Sequence, residues 1–187
     1  MWLLKLESVV AATDLKEASR SALSTAARLA ALASAALHVV FVEEAPTRDA
    51  EARVREELEV AAPGAGEPAS VVVMSGDAAR AIVNRAVQVE ADAIVLGPHA
   101  RAVHQPGKMG GTAAAVVRSA SCPCLVAARD LHLPLRNVLA PVDRSEAAEG
   151  TLSVALSWTS ALRPRGGTAR LTAFHASPAG PEREAAS

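Results

Sequence analysis

Short apolar runs alternate with longer amphipathic stretches along the first 128 residues. The runs are rich in Val, Leu, Ile and Ala and lack the polar alternation of a strand with one exposed face. They predict five buried strands, at residues 8–13, 37–42, 71–74, 93–96 and 123–127. The stretches between them carry apolar residues at helical spacing and predict four helices, at residues 18–33, 49–61, 77–89 and 112–119.

This alternation of uniformly apolar strands with helices is typical of a parallel sheet that has helices on both faces. The predicted fold class is therefore α/β, a doubly wound five-stranded parallel sheet. Asp77 stands at the start of the third helix and is expected to cap it through its carboxylate.

An internal repeat links the start of the chain to its last quarter. VVAATDLKEAS from Val9 aligns without a gap with VLAPVDRSEAA from Val138, which pairs Asp14 with Asp143. The second copy predicts a strand, a helix that starts with Ser145 as its cap, and another strand, a partial β-α-β unit. We therefore expect four regions, a complete domain at 1–128, a linker at 129–136, a partial second repeat at 137–177 and a disordered tail at 178–187.

Composition narrows the classes of function. The formal net charge is −1 and the signs are interspersed, so no basic face is expected for a phosphate backbone. Two Phe, two Trp and no Tyr leave few rings on which bases could stack. Both features argue against a nucleic-acid partner. No apolar run is long enough to span a bilayer and no signal-peptide pattern is present, so we expect no membrane association and a cytoplasmic location.

Cysteines and histidines suggest no metal site or redox pair. Cys122 and Cys124 are separated by one residue, a spacing that does not favour a disulfide between them, so free structural thiols are expected. His99 and His104 lie in a predicted loop without a carboxylate or cysteine at ligand spacing. We expect both histidines to be solvated.

The residues that could bind a ligand are expected to lie at one crevice of the sheet. Open parallel sheets bind ligands beyond the carboxyl ends of their strands, where the strand order reverses. With the order 3-2-1-4-5, Asp14 and Gly97 follow neighbouring strands. The loop after Gly97 ends in Gly110-Gly111-Thr112 at a predicted helix N-terminus, which favours an anion such as phosphate. Asp14 could accept hydrogen bonds from a ribose or a base; the alternative is that it only caps the next helix.

These motifs resemble the universal stress protein family. The resemblance rests on VVAATD near the start, AIVLGPHAR from Ala93, Gly111-Thr112 and SCPCLVA from Ser121, which together cover the first 128 residues. It implies an adenine nucleotide alpha hydrolase-like sheet of order 3-2-1-4-5 and a stress-response role. It also implies a homodimer, through strand five or the partial repeat. In one branch of the family it implies binding of ATP or a related nucleotide, with magnesium, without strong enzymatic activity.

The resemblance also implies site residues, carried over by position. Adenine and ribose contacts would fall on Ala12, Thr13, Asp14, Val42 and Leu96. Phosphate contacts would fall on Gly97, Ala100, Gly111, Thr112 and Ala113. The nucleotide-binding branch resembles G-x2-G-x9-G-[ST]. Here Ala100 replaces the second glycine, and ten residues rather than nine separate it from Gly111.

Two functions therefore compete at this stage. The first is a nucleotide-binding sensor or regulator of the stress response. The second is a protein-interaction module that dimerises without nucleotide, which Ala100 and the extra loop residue favour. A hydrolase is the weakest alternative, because the chain has no Gly-Lys-Ser/Thr sequence and no pair of catalytic carboxylates near the loop. We therefore expect no enzyme.

Overall fold

The computed structural model describes residues 6–98, 109–129 and 131–175, and strands alternate with helices in these ranges except where β6 follows β5 directly. The strands are β1 (Ser8–Thr13), β2 (Ala36–Val42), β3 (Ser70–Met74), β4 (Ala93–Leu96), β5 (Cys124–Val126), β6 (Asn137–Pro141) and β7 (Arg170–Phe174). The helices are α1 (Glu17–Ala33), α2 (Ala50–Ala61), α3 (Ala78–Gln88), α4 (Gly111–Ser119) and α5 (Ala147–Ala161). Each predicted strand and helix is present, with ends that differ by a few residues at most.

The described residues up to Pro134 form one compact unit, and those from Leu135 form another. In the first unit, five strands pair in the order β3-β2-β1-β4-β5, and every pairing is parallel. This confirms the predicted doubly wound sheet and its strand order. β1 lies at the centre, with Val10 opposite His38 on one side and Ile94 on the other.

Alternate residues of the central strands enter two different cores. Val10, Val40 and Ile94 pack with Ile82 of α3 and Val116 of α4 on one face of the sheet. Their neighbours in sequence point to the opposite face, where α1 packs on β1 and α2 on β3. These side chains are almost completely buried, and each contributes about 1.5–3 kcal/mol by leaving water. Burial on both faces explains why the strands are uniformly apolar.

The second unit is a strand, a helix and a strand. β6 and β7 pair in parallel, with Val138 opposite Leu171, and α5 packs on both strands. The helix begins at Ala147 with Glu146 as N-cap and no side-chain cap, so the prediction that Ser145 caps it is wrong. The Ser145 hydroxyl instead donates to the carboxylate of Asp143, two residues earlier. Because the Ser145 hydroxyl is engaged in this short turn, it is not available to cap the helix that starts two residues later.

Two further predictions concern single elements of the described chain. The Asp77 carboxylate accepts a hydrogen bond from the Arg80 N–H at 2.7 Å, which confirms the predicted cap of α3. Among the helices in the described ranges, none combines the length and the apolar character needed to cross a bilayer.

Candidate functional site

A pocket of about 140 Å³ opens at the carboxyl ends of β1, β2 and β4. Most of the predicted site residues line it, namely Ala12, Thr13, Asp14, Val42, Leu96, Gly97, Thr112 and Ala113. Gly111 is the first residue of α4 and precedes the lining residue Thr112, but it does not itself line the pocket. Ala100 lies outside the described residues. The strand ends and one helix N-terminus thus meet at the crevice where the strand order reverses.

The turn after β1 is held by hydrogen bonds between its own polar groups. The Ser19 hydroxyl donates to the Lys16 carbonyl at 2.8 Å, and the Thr13 hydroxyl lies 3.0 Å from the Ser19 oxygen. Since the Ser19 proton is already used, Thr13 donates to Ser19 and accepts from the Leu15 N–H at 3.0 Å. Leu15 adopts a φ of +58°, which costs a residue with a side chain about 1–2 kcal/mol. The turn therefore holds a strained backbone directly at the pocket.

Asp14 lies at the rim of the pocket and does not cap α1. Its carboxylate accepts the Lys16 N–H at 3.1 Å and lies 3.4 Å from the Lys16 ammonium. The N-cap of α1 is Lys16, and no side chain accepts a hydrogen bond there. The structural alternative, Asp14 as a helix cap, is therefore wrong. With 46% of its side chain exposed, the carboxylate can still accept hydrogen bonds from a ligand.

The first turn of α4 forms the polar end of the pocket. Its N-cap is Gly110, so the helix starts without a side-chain cap. By contrast, Asp77 caps α3, whose first residue Ala78 also lines the pocket. Uncapped N–H groups carry a partial positive charge. Thr112 adds a hydroxyl at the same place. This end of the pocket is suited to an anion.

The inner wall of the pocket is apolar. It is built from Val40 and Val42 of β2, Ile82 of α3 and Leu96 of β4. Five lining residues could not be predicted from the sequence, namely Ser19, Val40, Pro98 and the α3 residues Ala78 and Ile82. The α3 residues lie between predicted strands three and four, and only the packing of α3 on the sheet brings them to the pocket. Ser19 lies in the first turn of α1, and its short distance in sequence from Asp14 was the only available sign.

The packing around position 97 gives a structural reason for a glycine there. A Cβ atom at this position would lie 3.0 Å from the Ala18 carbonyl oxygen and 3.2 Å from the Ser19 Cα. These distances are shorter than ordinary van der Waals contact, so a side chain here would require the backbone at the start of α1 to shift. Packing therefore favours a glycine at this position, whatever the pocket binds.

The described part of the pocket contains one ionisable lining residue, Asp14. Among the described residues, no group of three or more His, Cys, Asp or Glu side chains could hold a metal ion. Cys122 and Cys124 are free thiols, as expected. Burial raises the pKa of both, that of Cys124 to about 11, so both are protonated near neutral pH and are poor ligands or nucleophiles.

Comparisons with known proteins identify a family for most of the chain and support its fold. The sequence model of the universal stress protein family matches residues 5–128. Among solved structures, a universal stress protein in complex with cAMP is 23% identical with a TM-score of 0.53, covering 68% of this chain and 98% of that one. A universal stress protein from Archaeoglobus fulgidus DSM 4304 is 25% identical with a TM-score of 0.51, covering 68% of this chain and 45% of that one.

A universal stress family protein from Burkholderia pseudomallei is 23% identical with a TM-score of 0.51, covering 65% of this chain and 96% of that one. A search of curated proteins finds no match. The solved structures support the fold, and the family model assigns residues 5–128 to the universal stress protein family.

Proposed function

The chain belongs to the universal stress protein family, and we propose that the pocket at the ends of β1, β2 and β4 binds an adenine nucleotide. One observation carries the proposal: an apolar slot, a rim carboxylate and an uncapped helix N-terminus line a single pocket. A base, a ribose and a phosphate need these three environments in that order. The cAMP complex of a protein with the same fold supports this class of ligand.

The size of the slot suits a base rather than a whole nucleotide. Its volume of about 140 Å³ is below the roughly 300–1,000 Å³ of sites that enclose a drug-sized ligand. A flat ring would lie between Val42, Ile82 and Leu96, with the sugar and phosphates across the open rim. The Glu43 N–H donates to Met74 of β3, so the peptide groups of Val42 turn the other way, toward β1 and the pocket. The Val42 carbonyl is thereby suited to accept a hydrogen bond from the exocyclic amine of adenine.

The rim supplies the groups that the rest of the nucleotide needs. The Asp14 carboxylate is suited to accept hydrogen bonds from ribose hydroxyls, and Lys16 beside it offsets part of its charge. Thr112 and the first N–H groups of α4 face the phosphates. Magnesium would be carried by the phosphates, as is usual for this ion, because the described residues offer no ligand cluster of their own.

We propose a binding module that does not turn its nucleotide over. Hydrolysis needs a group that activates water, and Asp14 is the one ionisable side chain among the described lining residues. In the proposed complex its carboxylate is shared between Lys16 and the ribose hydroxyls, which leaves it poorly placed to activate a water. The proposed role is regulatory: occupancy of the pocket reports nucleotide supply to a partner in the stress response.

A second candidate function is dimerisation without nucleotide. β5 pairs with β4 on one side and ends the five-stranded sheet on the other. An edge strand with free backbone groups can pair with a second copy. Light scattering separates the two proposals. A dimer that forms equally well with and without nucleotide favours this candidate, whereas a monomer excludes it.

Calorimetry with paired aspartate variants tests the nucleotide proposal. Asp14 and Asp143 are counterparts in the repeat and make the same kind of turn, each accepting the N–H two residues later. Asp14→Ala is expected to weaken ATP binding about tenfold to a hundredfold, the loss of a hydrogen bond to a charged group. Asp143→Ala should bind like the wild type. No binding heat from the wild type at sub-millimolar ATP, with magnesium, would reject the proposal.

A further inference from the structure

Three polar side chains form a cluster away from the pocket. His38 of β2 and Ser70 of β3 are opposite each other in the sheet, and Arg85 comes from α3. His38 Nδ1 lies 2.8 Å from Ser70 Oγ, and Arg85 Nη2 lies 2.7 Å from the same oxygen. The hydroxyl of Ser70 therefore joins two strands to one helix.

The chemistry of the cluster favours one direction for each hydrogen bond. A guanidinium can only donate, so Arg85 donates to Ser70 Oγ. The Ser70 proton is then free to point at His38 Nδ1, which accepts it when the ring is neutral with its proton on Nε2. Burial, and to a lesser extent the charge of Arg85, lower the pKa of His38 below its ordinary value of 6.5.

Protonation of His38 disfavours this arrangement. Nδ1 would become a donor, so Ser70 would accept from two cations and would have to turn its own proton away from the ring. A second positive charge would also face Arg85. Arg85 is weakly held otherwise, with a contact of 3.4 Å to Gln88 and a buried Nε that has no protein partner among the described residues. Release of the Arg85 side chain to solvent would remove the charge repulsion and would leave Ser70 with a single cationic donor.

We propose that His38, Ser70 and Arg85 form an acid-sensitive clasp that holds the C-terminal half of α3 to β2 and β3. At neutral pH the clasp is closed, and protonation of His38 opens it. The clasp is part of the fold itself and does not require that a nucleotide binds.

The other charged groups near the face of the sheet that α3 covers either have hydrogen-bond partners of their own or lie farther along α3. Asp92, which follows α3, accepts the N–H groups of Glu7 and Ser8. Arg80 lies in the first turn of α3, at the pocket end. From β1, the residue opposite His38 is the apolar Val10. α1 and α2 pack on the other face. Arg85 is accordingly the charge that acts on the His38 ring.

The clasp also reaches the proposed nucleotide site. Ile82 lines the pocket and lies one helical turn before Arg85. Loosening this end of α3 would disturb the apolar wall. If the proposed function holds, acid should therefore weaken nucleotide binding as well, and this one consequence rests on it.

Hydrogen exchange of the nucleotide-free protein tests the clasp. The folded state binds the His38 proton less readily than the unfolded state, so α3 loses protection as pH falls below about 6.5. Between pH 7.5 and 5.5, after correction for intrinsic rates, the wild-type α3 amides should lose about threefold to tenfold in protection, since one pKa unit corresponds to tenfold. His38→Gln, which cannot be protonated, should change less than twofold. His132→Gln, an exposed histidine, is the matched control and should behave like the wild type.

Equal pH dependence in the wild type and His38→Gln would overturn the clasp. An NMR titration of the histidine rings provides a second readout if His38→Gln does not fold. Arg85→Gln should move the pKa of His38 up toward 6.5, and an unchanged value would also overturn the proposal. ATP titrations at both pH values separate the two claims: no binding at pH 7.5 counts against the nucleotide site alone, while the exchange result decides the clasp.

Discussion

Two glycines beside the pocket, Gly97 and Gly111, have different surroundings. A Cβ at Gly97 would press on the Ala18 carbonyl at 3.0 Å, whereas a Cβ at Gly111 meets nothing within 4 Å. Gly97→Ala should therefore lower the free energy of unfolding by about 1–3 kcal/mol, as overpacking does. Gly111→Ala is the matched control and should raise it by up to about 1 kcal/mol, because alanine is the better helix residue. Urea denaturation measures both, and equal effects would contradict the packing account of Gly97.

Polar contacts between residues distant in sequence were the least predictable feature of the molecule. Asp14 and Gly97 could be proposed from the sequence because each follows an apolar run that predicts a strand, and Thr13 could be proposed through the family resemblance. The pairing of His38 with Ser70 and Arg85 could not, because 32 and 15 residues separate Ser70 from its two partners. Such contacts depend on strand register and helix placement, which single residues do not encode.

α4 presents its uncapped first turn to the pocket, and a charge placed there separates two effects. Thr112→Asp should stabilise the helix by about 0.3–1 kcal/mol through the dipole. The same carboxylate should repel phosphates and weaken ATP binding at least about fivefold, while the affinity for uncharged adenosine stays unchanged. Ser119→Asp, at the other end of α4, is the control and should leave ATP affinity intact. Calorimetry with both ligands makes the comparison, and equal losses for ATP and adenosine would contradict the phosphate assignment.

The pattern of apolar residues predicted the strands and helices well, and it predicted the residues at which they start and end less well. Strands buried on both faces stand out as uniform apolar runs, so β1 and β4 were predicted with the ends that the structure shows. Helix starts depend on local hydrogen bonds. At Asp77 the expected cap forms, whereas Ser145 bonds to Asp143 and the helix starts at Ala147. Both residues are good caps in isolation, so the pattern alone could not distinguish them.

At the scale of the whole chain, the repeat gives the same local structure in both units but different burial. Val10 of β1 is completely buried, while its counterpart Leu139 of β6 is 62% exposed. In the first unit α3 and α4 cover Val10, and the described residues of the second unit contain no equivalent helices. The described second unit therefore has the Asp143 turn without a facing helix N-terminus. The proposed nucleotide function is accordingly assigned to the first unit.

An NMR titration of the whole chain with ATP and magnesium tests the central claim most directly, because it shows both whether the nucleotide binds and where. The account predicts saturable amide shifts at sub-millimolar ATP that concentrate on Val42, Leu96, Thr112 and Ala113, with little change around Asp143. An absence of shifts at 1 mM ATP (about −4.1 kcal/mol of binding free energy) would contradict it. So would shifts that concentrate away from the strand-end pocket.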